Sequence, residues 1–150
     1  MEKWEIMLKG QEKAQIQNYL HTNSYTQGFG LSLTEEDAKQ LVIAHQKTLK
    51  EKQRFEFGEG ILSKLIFAFC DSSYINQAEY KETLIELEEI FYEYKNESKD
   101  LITDDELVEY MAKTFEGECC GSIEYLRGTA LAKLIRKLRM EHDGIWQEEE

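Results

Sequence analysis

The chain has 150 residues, the size of one ordinary domain, and the absence of proline together with only nine glycines favours long helices. Its formal net charge of −12 repels polyanions and disfavours general binding to nucleic acids or to anionic membranes. The first residues lack a basic region followed by a long apolar run, and no apolar run reaches about 18 residues, so we expect a cytoplasmic protein without membrane interaction.

The first predicted element covers residues 1–20, where apolar side chains recur at helical spacing on both sides of Gly10. This pattern indicates one interrupted helix or two short ones. The next stretch, residues 21–32, is rich in Ser, Thr, Asn and Gly and predicts a loop. We expect its two aromatic residues, Tyr25 and Phe29, to pin this loop to the core.

The second predicted helix begins after Thr34, which is followed by three acids in the manner of a capping box, and ends near Gln53. Apolar residues recur along one face of this helix, and His45 lies on that face. A histidine in such a place can act as a base or a metal ligand. The stronger interpretation is a core histidine with one satisfied hydrogen bond.

The stretch from Gly60 to Cys70 is apolar on nearly every side and predicts a buried central helix at about residues 61–70. We therefore predict an all-α fold, a bundle of five to six helices around this buried central helix. Residues 1–150 are expected to form a single helical domain, with residues 141–150 as a frayed acidic tail.

Three further helices are predicted after the central one, each with its own capping residue. Asn76 caps a long helix whose glutamates, Glu88 among them, lie mostly away from its apolar seam. Thr103, followed by three acids, opens a helix that ends near Gly117. Ser122 caps the last long helix.

The three cysteines are odd in number and two are adjacent, which does not match a secreted disulfide framework. Cys119 and Cys120 are weak candidates for a metal site or a redox pair, because zinc needs about four ligands and no second pair of cysteines exists. Packing at a helix junction is the stronger interpretation. We predict neither a metal site nor a cofactor.

The clearest functional signal is the charge of the last helix. Between residues 127 and 139 it carries five basic residues and no acid, whereas residues 100–118 carry seven acids. The basic residues are Arg127, Lys133, Arg136, Lys137 and Arg139. One interpretation is that this helix packs across the acidic helices and complements its own negative C-terminal end. The other is a surface for an anionic partner, either an acidic protein segment or an RNA backbone.

Four short pieces of the sequence stand out, and they are Ser73-Tyr74-Ile75, the stretch from Glu89 to Glu97, Asp104-Asp105-Glu106-Leu107 and Cys120-Gly121-Ser122. Together they resemble a small bacterial family of unknown function, over residues of about 30–140. Because this family has no assigned activity, the resemblance implies a bacterial single-domain protein and transfers no site residue.

These observations favour a non-enzymatic protein-interaction or regulatory module whose partner is another protein, and they are compatible with a homo-oligomer. One alternative is a small enzyme or ligand-binding bundle with a pocket lined by His45 and by Tyr or Cys residues. A second alternative is RNA or DNA binding through the basic helix at residues 127–139, which would depend steeply on salt concentration.

Overall fold

The computed structural model describes residues 2–54 and 60–148, with side chains for 12–54 and 60–142. In these ranges the chain forms helices and no strands, which confirms the predicted all-α fold. The helices are α1 (Glu2–His21), α2 (Asn23–Thr26), α3 (Glu35–Glu51), α4 (Ile61–Phe69), α5 (Tyr80–Glu97), α6 (Asp104–Glu116), α7 (Ile123–Tyr125) and α8 (Leu131–Glu148).

The chain divides into two compact units, Met1–Glu88 and Glu89–Glu150, and helix α5 runs through the boundary. That residues 1–150 act as one domain stays a prediction. So does the frayed tail, residues 141–150: α8 is helical as far as Glu148, and the last two residues lie outside the described ranges.

Helix α4 is a buried element of the first unit, as predicted for the central helix. Its buried side chains are Ile61, Leu62, Leu65, Ile66 and Phe69. Phe67 departs from the prediction, because it is 49% exposed. The helix starts at Gly60 without a side-chain cap, so burial of apolar surface is its main source of stability.

The predicted loop at residues 21–32 is instead mostly helical, since it contains α2 and a 3₁₀ turn that ends at Gly30 with φ 82°. Tyr25 and Phe29 are not core residues, since they are 55% and 49% exposed, but the Tyr25 ring contacts the ring of Phe67 on α4, with the centroids 5.3 Å apart. Leu31 and Leu33 are the buried apolar residues of this segment.

The four predicted caps are confirmed. Thr34 forms a capping box, since its Oγ1 accepts from the Asp37 amide and the Asp37 carboxylate accepts from the Thr34 amide, both at 3.0 Å. Asn76 caps the 3₁₀ turn that leads into α5, Thr103 caps α6 and Ser122 caps α7. Each such cap stabilises its helix by about 1 kcal/mol.

The second unit has a core contributed by the C-terminal half of α5, by α6 and by the start of the last helical segment. Its fully buried side chains include Ile90, Phe91, Tyr94, Leu107, Met111, Phe115, Leu126 and Ala130. The last helix was predicted as one continuous element. The structure interrupts it with a π-helical segment, Leu126–Ala130, between α7 and α8. Beyond Leu134, the described side chains of α8 are half-buried or exposed.

Candidate functional site

His45 lies in the interior of the first unit, next to Glu88. The His45 Nδ1 atom is 3.0 Å from the Glu88 Oε1 atom, and the side chains are 2% and 3% exposed. This position agrees with a core histidine. The prediction that Glu88 lies away from the buried seam is wrong, because its side chain is buried. The contact with the imidazole offsets the free-energy cost of burying its carboxylate.

The two adjacent cysteines differ in their surroundings. Cys119 is buried, and burial, with Glu118 as a smaller contribution, raises its pKa from the ordinary value of 9.0 to about 11. Its thiol is therefore protonated at neutral pH and is a poor nucleophile. Cys120 is exposed, and its Sγ donates to the Gly117 carbonyl oxygen at 3.4 Å. Among the described residues, no group of three or more His, Cys, Asp or Glu side chains would hold a metal ion.

Two tyrosine hydroxyl groups hold the ends of the π-helical segment. The Tyr94 hydroxyl donates to the Leu126 carbonyl, and the Tyr110 hydroxyl donates to the Ala130 carbonyl at 2.9 Å. Burial raises the pKa of Tyr94 far above its usual range, so its hydroxyl remains a donor at physiological pH. This arrangement was not predicted from the sequence, although an isolated Gly128 within a helical pattern is a signal for an irregularity.

Two of the five predicted basic residues pair with acids of the same unit. Arg127 contacts two carboxylates of α5, with its Nη2 3.3 Å from Glu89 Oε2 and its Nε 3.5 Å from Glu93 Oε2. The Lys133 Nζ atom lies 2.7 Å from the Glu118 Oε2 atom. For these two residues, the structure agrees with the interpretation that the basic helix complements acids of its own chain.

The other three basic residues, Arg136, Lys137 and Arg139, are exposed on α8. None of the three forms an ion pair with another residue in the part of the chain whose side chains are described. Their positive charges are therefore open to solvent and to any molecule that approaches α8.

An open groove of about 760 Å³ lies between the C-terminal half of α5 and α8, within the second unit. The apolar side chains that line it belong to α8, and they are Leu131, Ala132, Ile135 and Met140. Arg136 and Arg139 line the groove from α8, while Glu93 and Glu97 line it from α5. The α8 side of the groove therefore carries both the apolar residues and the positive charges, and the α5 side carries the negative charges.

A second groove, of about 430 Å³, lies between α6 and α8. Its lining includes Leu101, Tyr110 and Leu138 together with charged residues of both signs. Helix α8 is thus accessible from two sides, and the groove beside α5 is the larger of these two.

No helix in the described ranges combines the length and the apolar character needed to cross a membrane.

Comparison with known proteins identifies a family. A family model described as a family of unknown function (DUF6323) matches residues 18–144, which confirms the predicted resemblance to a family of unknown function. No curated protein and no solved structure matches the chain significantly.

Proposed function

The chain belongs to this family of unknown function, and from its surface we propose that it is a non-enzymatic protein-interaction module that binds a partner protein in the groove between α5 and α8. The observation that carries the proposal is the combination, in one groove, of an apolar lining with the exposed guanidinium groups of Arg136 and Arg139. Partially exposed apolar surface rimmed by charge is typical of protein-binding sites.

The apolar part of this groove belongs to α8. Leu131 and Ile135 are four residues apart and lie on one side of the helix, whereas Met140, nine residues after Leu131, lies about 180° around the helix from Leu131. Met140 is 66% exposed, and Leu131 and Ile135 are only partly buried. Covering these side chains with a partner removes apolar surface from water, which drives association.

The enzyme alternative has weaker support. His45 is almost fully buried against Glu88, so a substrate has no access to its imidazole in this conformation. Cys119 is buried and protonated at neutral pH. Neither residue lines the groove.

The nucleic-acid alternative also has weaker support. Glu89, Glu93 and Glu118 lie beside Arg127 and Lys133, so a phosphate backbone that approached these two basic residues would meet carboxylates as well. We expect no shift of a labelled RNA in a gel at low salt. A shift that weakens steeply with added salt would favour RNA binding over protein binding.

Site-specific photo-crosslinking in the organism that makes the protein tests the proposal. The photoreactive residue p-benzoyl-phenylalanine is placed at Met140, in the groove, or at Ile43 on α3, which is similarly exposed at 63%. We expect Met140 to capture a defined protein that Ile43 does not capture, and the R136E/R139E variant to lose most of this product. The same products from both positions, or capture unchanged by the double reversal, would overturn the proposal.

A further inference from the structure

The length of the groove between α5 and α8 indicates what kind of segment can bind in it. Its lining from α8 extends from Leu131 to Met140, which corresponds to about 14 Å of helix, or about two and a half turns. A second helix laid along the groove would present side chains at i, i+3, i+4 and i+7 to the apolar lining over this length. The dimensions therefore suit a short amphipathic helix.

The charges along the two sides of the groove differ in sign and in availability. On the α8 side, Arg136 and Arg139 are one helical turn apart and have no ion-pair partner among the described residues. On the α5 side, Glu93 is engaged by Arg127, whereas Glu97 is exposed and has no such partner in the described part of the chain. Two positive charges and one negative charge are thus left for an occupant to neutralise.

We infer that the partner, if the proposed protein-binding function holds, is an amphipathic helix with an apolar stripe, acidic residues along one flank and a basic residue along the other. The acidic flank lies over Arg136 and Arg139, and the basic residue lies over Glu97. A helix with acids on both flanks would meet Glu97 and a protein of net charge −12, while a helix with bases on both flanks would meet the two arginines.

Charge segregation also fixes the direction of the bound helix. Turning a helix end for end while keeping its apolar stripe in the groove exchanges its two flanks. One direction then pairs opposite charges on both sides, and the other places like charges together. The two sides of the groove therefore select one direction of the partner helix relative to α8.

Fluorescence anisotropy with three synthetic peptides tests the inference. The peptides share one leucine stripe and differ in their flanks, which carry glutamates on one side and lysines on the other, glutamates on both sides, or lysines on both sides. We expect the mixed peptide to bind the full-length protein about tenfold more tightly than either of the others at low salt.

The R136E/R139E variant is the matched test, because it reverses the charges on the α8 side and so makes both sides of the groove acidic. It should bind the peptide with lysines on both flanks most tightly, while the melting temperature stays unchanged because both arginines are exposed. If the three peptides bind the variant in the same order of affinity as they bind the wild type, the inference is overturned. So would dimerisation of the protein through the same groove, detected by sedimentation and abolished by Met140→Glu, since a second copy would then be the occupant.

The peptide-binding experiment and the crosslinking experiment test different statements, and their outcomes can be told apart. If Met140 captures a protein but none of the three peptides binds, the proposed function stands and the amphipathic-helix inference is wrong. If the mixed peptide binds with the expected order but Met140 captures no protein in cells, the proposed function is wrong while the groove retains the predicted charge preference.

Discussion

The imidazole of His45 and the carboxylate of Glu88 meet 3.0 Å apart in the interior of the first unit, one from α3 and the other from α5. Both side chains are almost completely excluded from water. Buried polar groups are tolerated when they contact each other, and each becomes costly when its partner is removed. The contact therefore ties two helices together at a specific register.

Removing one member of this contact should destabilise the protein strongly. We expect His45→Ala or Glu88→Ala to lower the free energy of unfolding by about 3–5 kcal/mol, because each leaves a buried polar group unsupported. Urea denaturation at pH 7 measures this loss. Glu86→Ala, at an exposed position of the same helix, is the control and should change stability by less than about 0.5 kcal/mol. If Glu86→Ala and Glu88→Ala lower the free energy of unfolding equally, the buried contact does not stabilise the fold more than an exposed glutamate does.

Loss of the Tyr94 hydroxyl should loosen the π-helical segment. Tyr94→Phe keeps the ring but leaves the Leu126 carbonyl without this donor, which should cost about 1–3 kcal/mol and speed hydrogen exchange of amides in residues 126–130. Tyr125→Phe is the control, because its hydroxyl lies at the surface, where it contacts the Glu118 carboxylate at 3.4 Å and the Lys133 side chain. Unchanged exchange in Tyr94→Phe would mean that the segment is held by other contacts.

The buried thiol of Cys119 predicts a loss of stability in alkaline solution. Its pKa is about 11 in the folded chain and 9.0 when exposed, so between these values the unfolded chain releases a proton that the folded chain retains. Rising pH then favours unfolding, by up to about 1.4 kcal/mol for each pH unit in this window. The stabilising effect is complete below pH 9.

Comparison with Cys119→Ala isolates this contribution. The variant lacks the thiol, so its stability should fall less steeply between pH 9 and 11 than that of the wild type, in urea denaturation at a series of pH values. If the free energy of unfolding falls equally steeply with pH for the two proteins in this range, the Cys119 thiol is not the cause of the loss of stability.

Lys95 should be a structural lysine, although lysines are usually exposed. Its Nζ donates to the Ile102 carbonyl at 2.7 Å and lies 2.9 Å from the Asp104 Oδ1 atom. It thereby holds the turn between α5 and α6, where Lys99 and Asp100 both adopt positive φ values. We expect Lys95→Met to cost about 1.5–3 kcal/mol in thermal or urea unfolding, whereas Lys113→Met at an exposed position should have little effect. A neutral Lys95→Met would contradict this role.

Local signals made much of the fold predictable. Thr34, Asn76, Thr103 and Ser122 could be recognised as caps because a cap depends on residues within one turn. The apolar run that forms α4 was also sufficient to predict a buried helix. Features that depend on distant partners were missed, as with Glu88, whose burial depends on a histidine 43 residues away in the sequence.

The candidate site was predictable only in part. The charge pattern identified the basic residues of the last helix, but it could not separate Arg127 and Lys133, which pair with acids, from Arg136, Lys137 and Arg139, which form no ion pair with any residue whose side chain is described. That distinction depends on where the acids of α5 and of the segment after α6 lie relative to the last helical segment. The groove itself is a product of this packing, and no sequence motif encodes it.

Isothermal titration calorimetry can measure whether the protein captured at Met140 binds in the groove between α5 and α8, when that purified partner is titrated into the wild type and into R136E/R139E. We expect the double reversal to weaken binding by about tenfold or more, with an unchanged melting temperature. Equal affinity of the two proteins for that partner would contradict binding in the groove between α5 and α8.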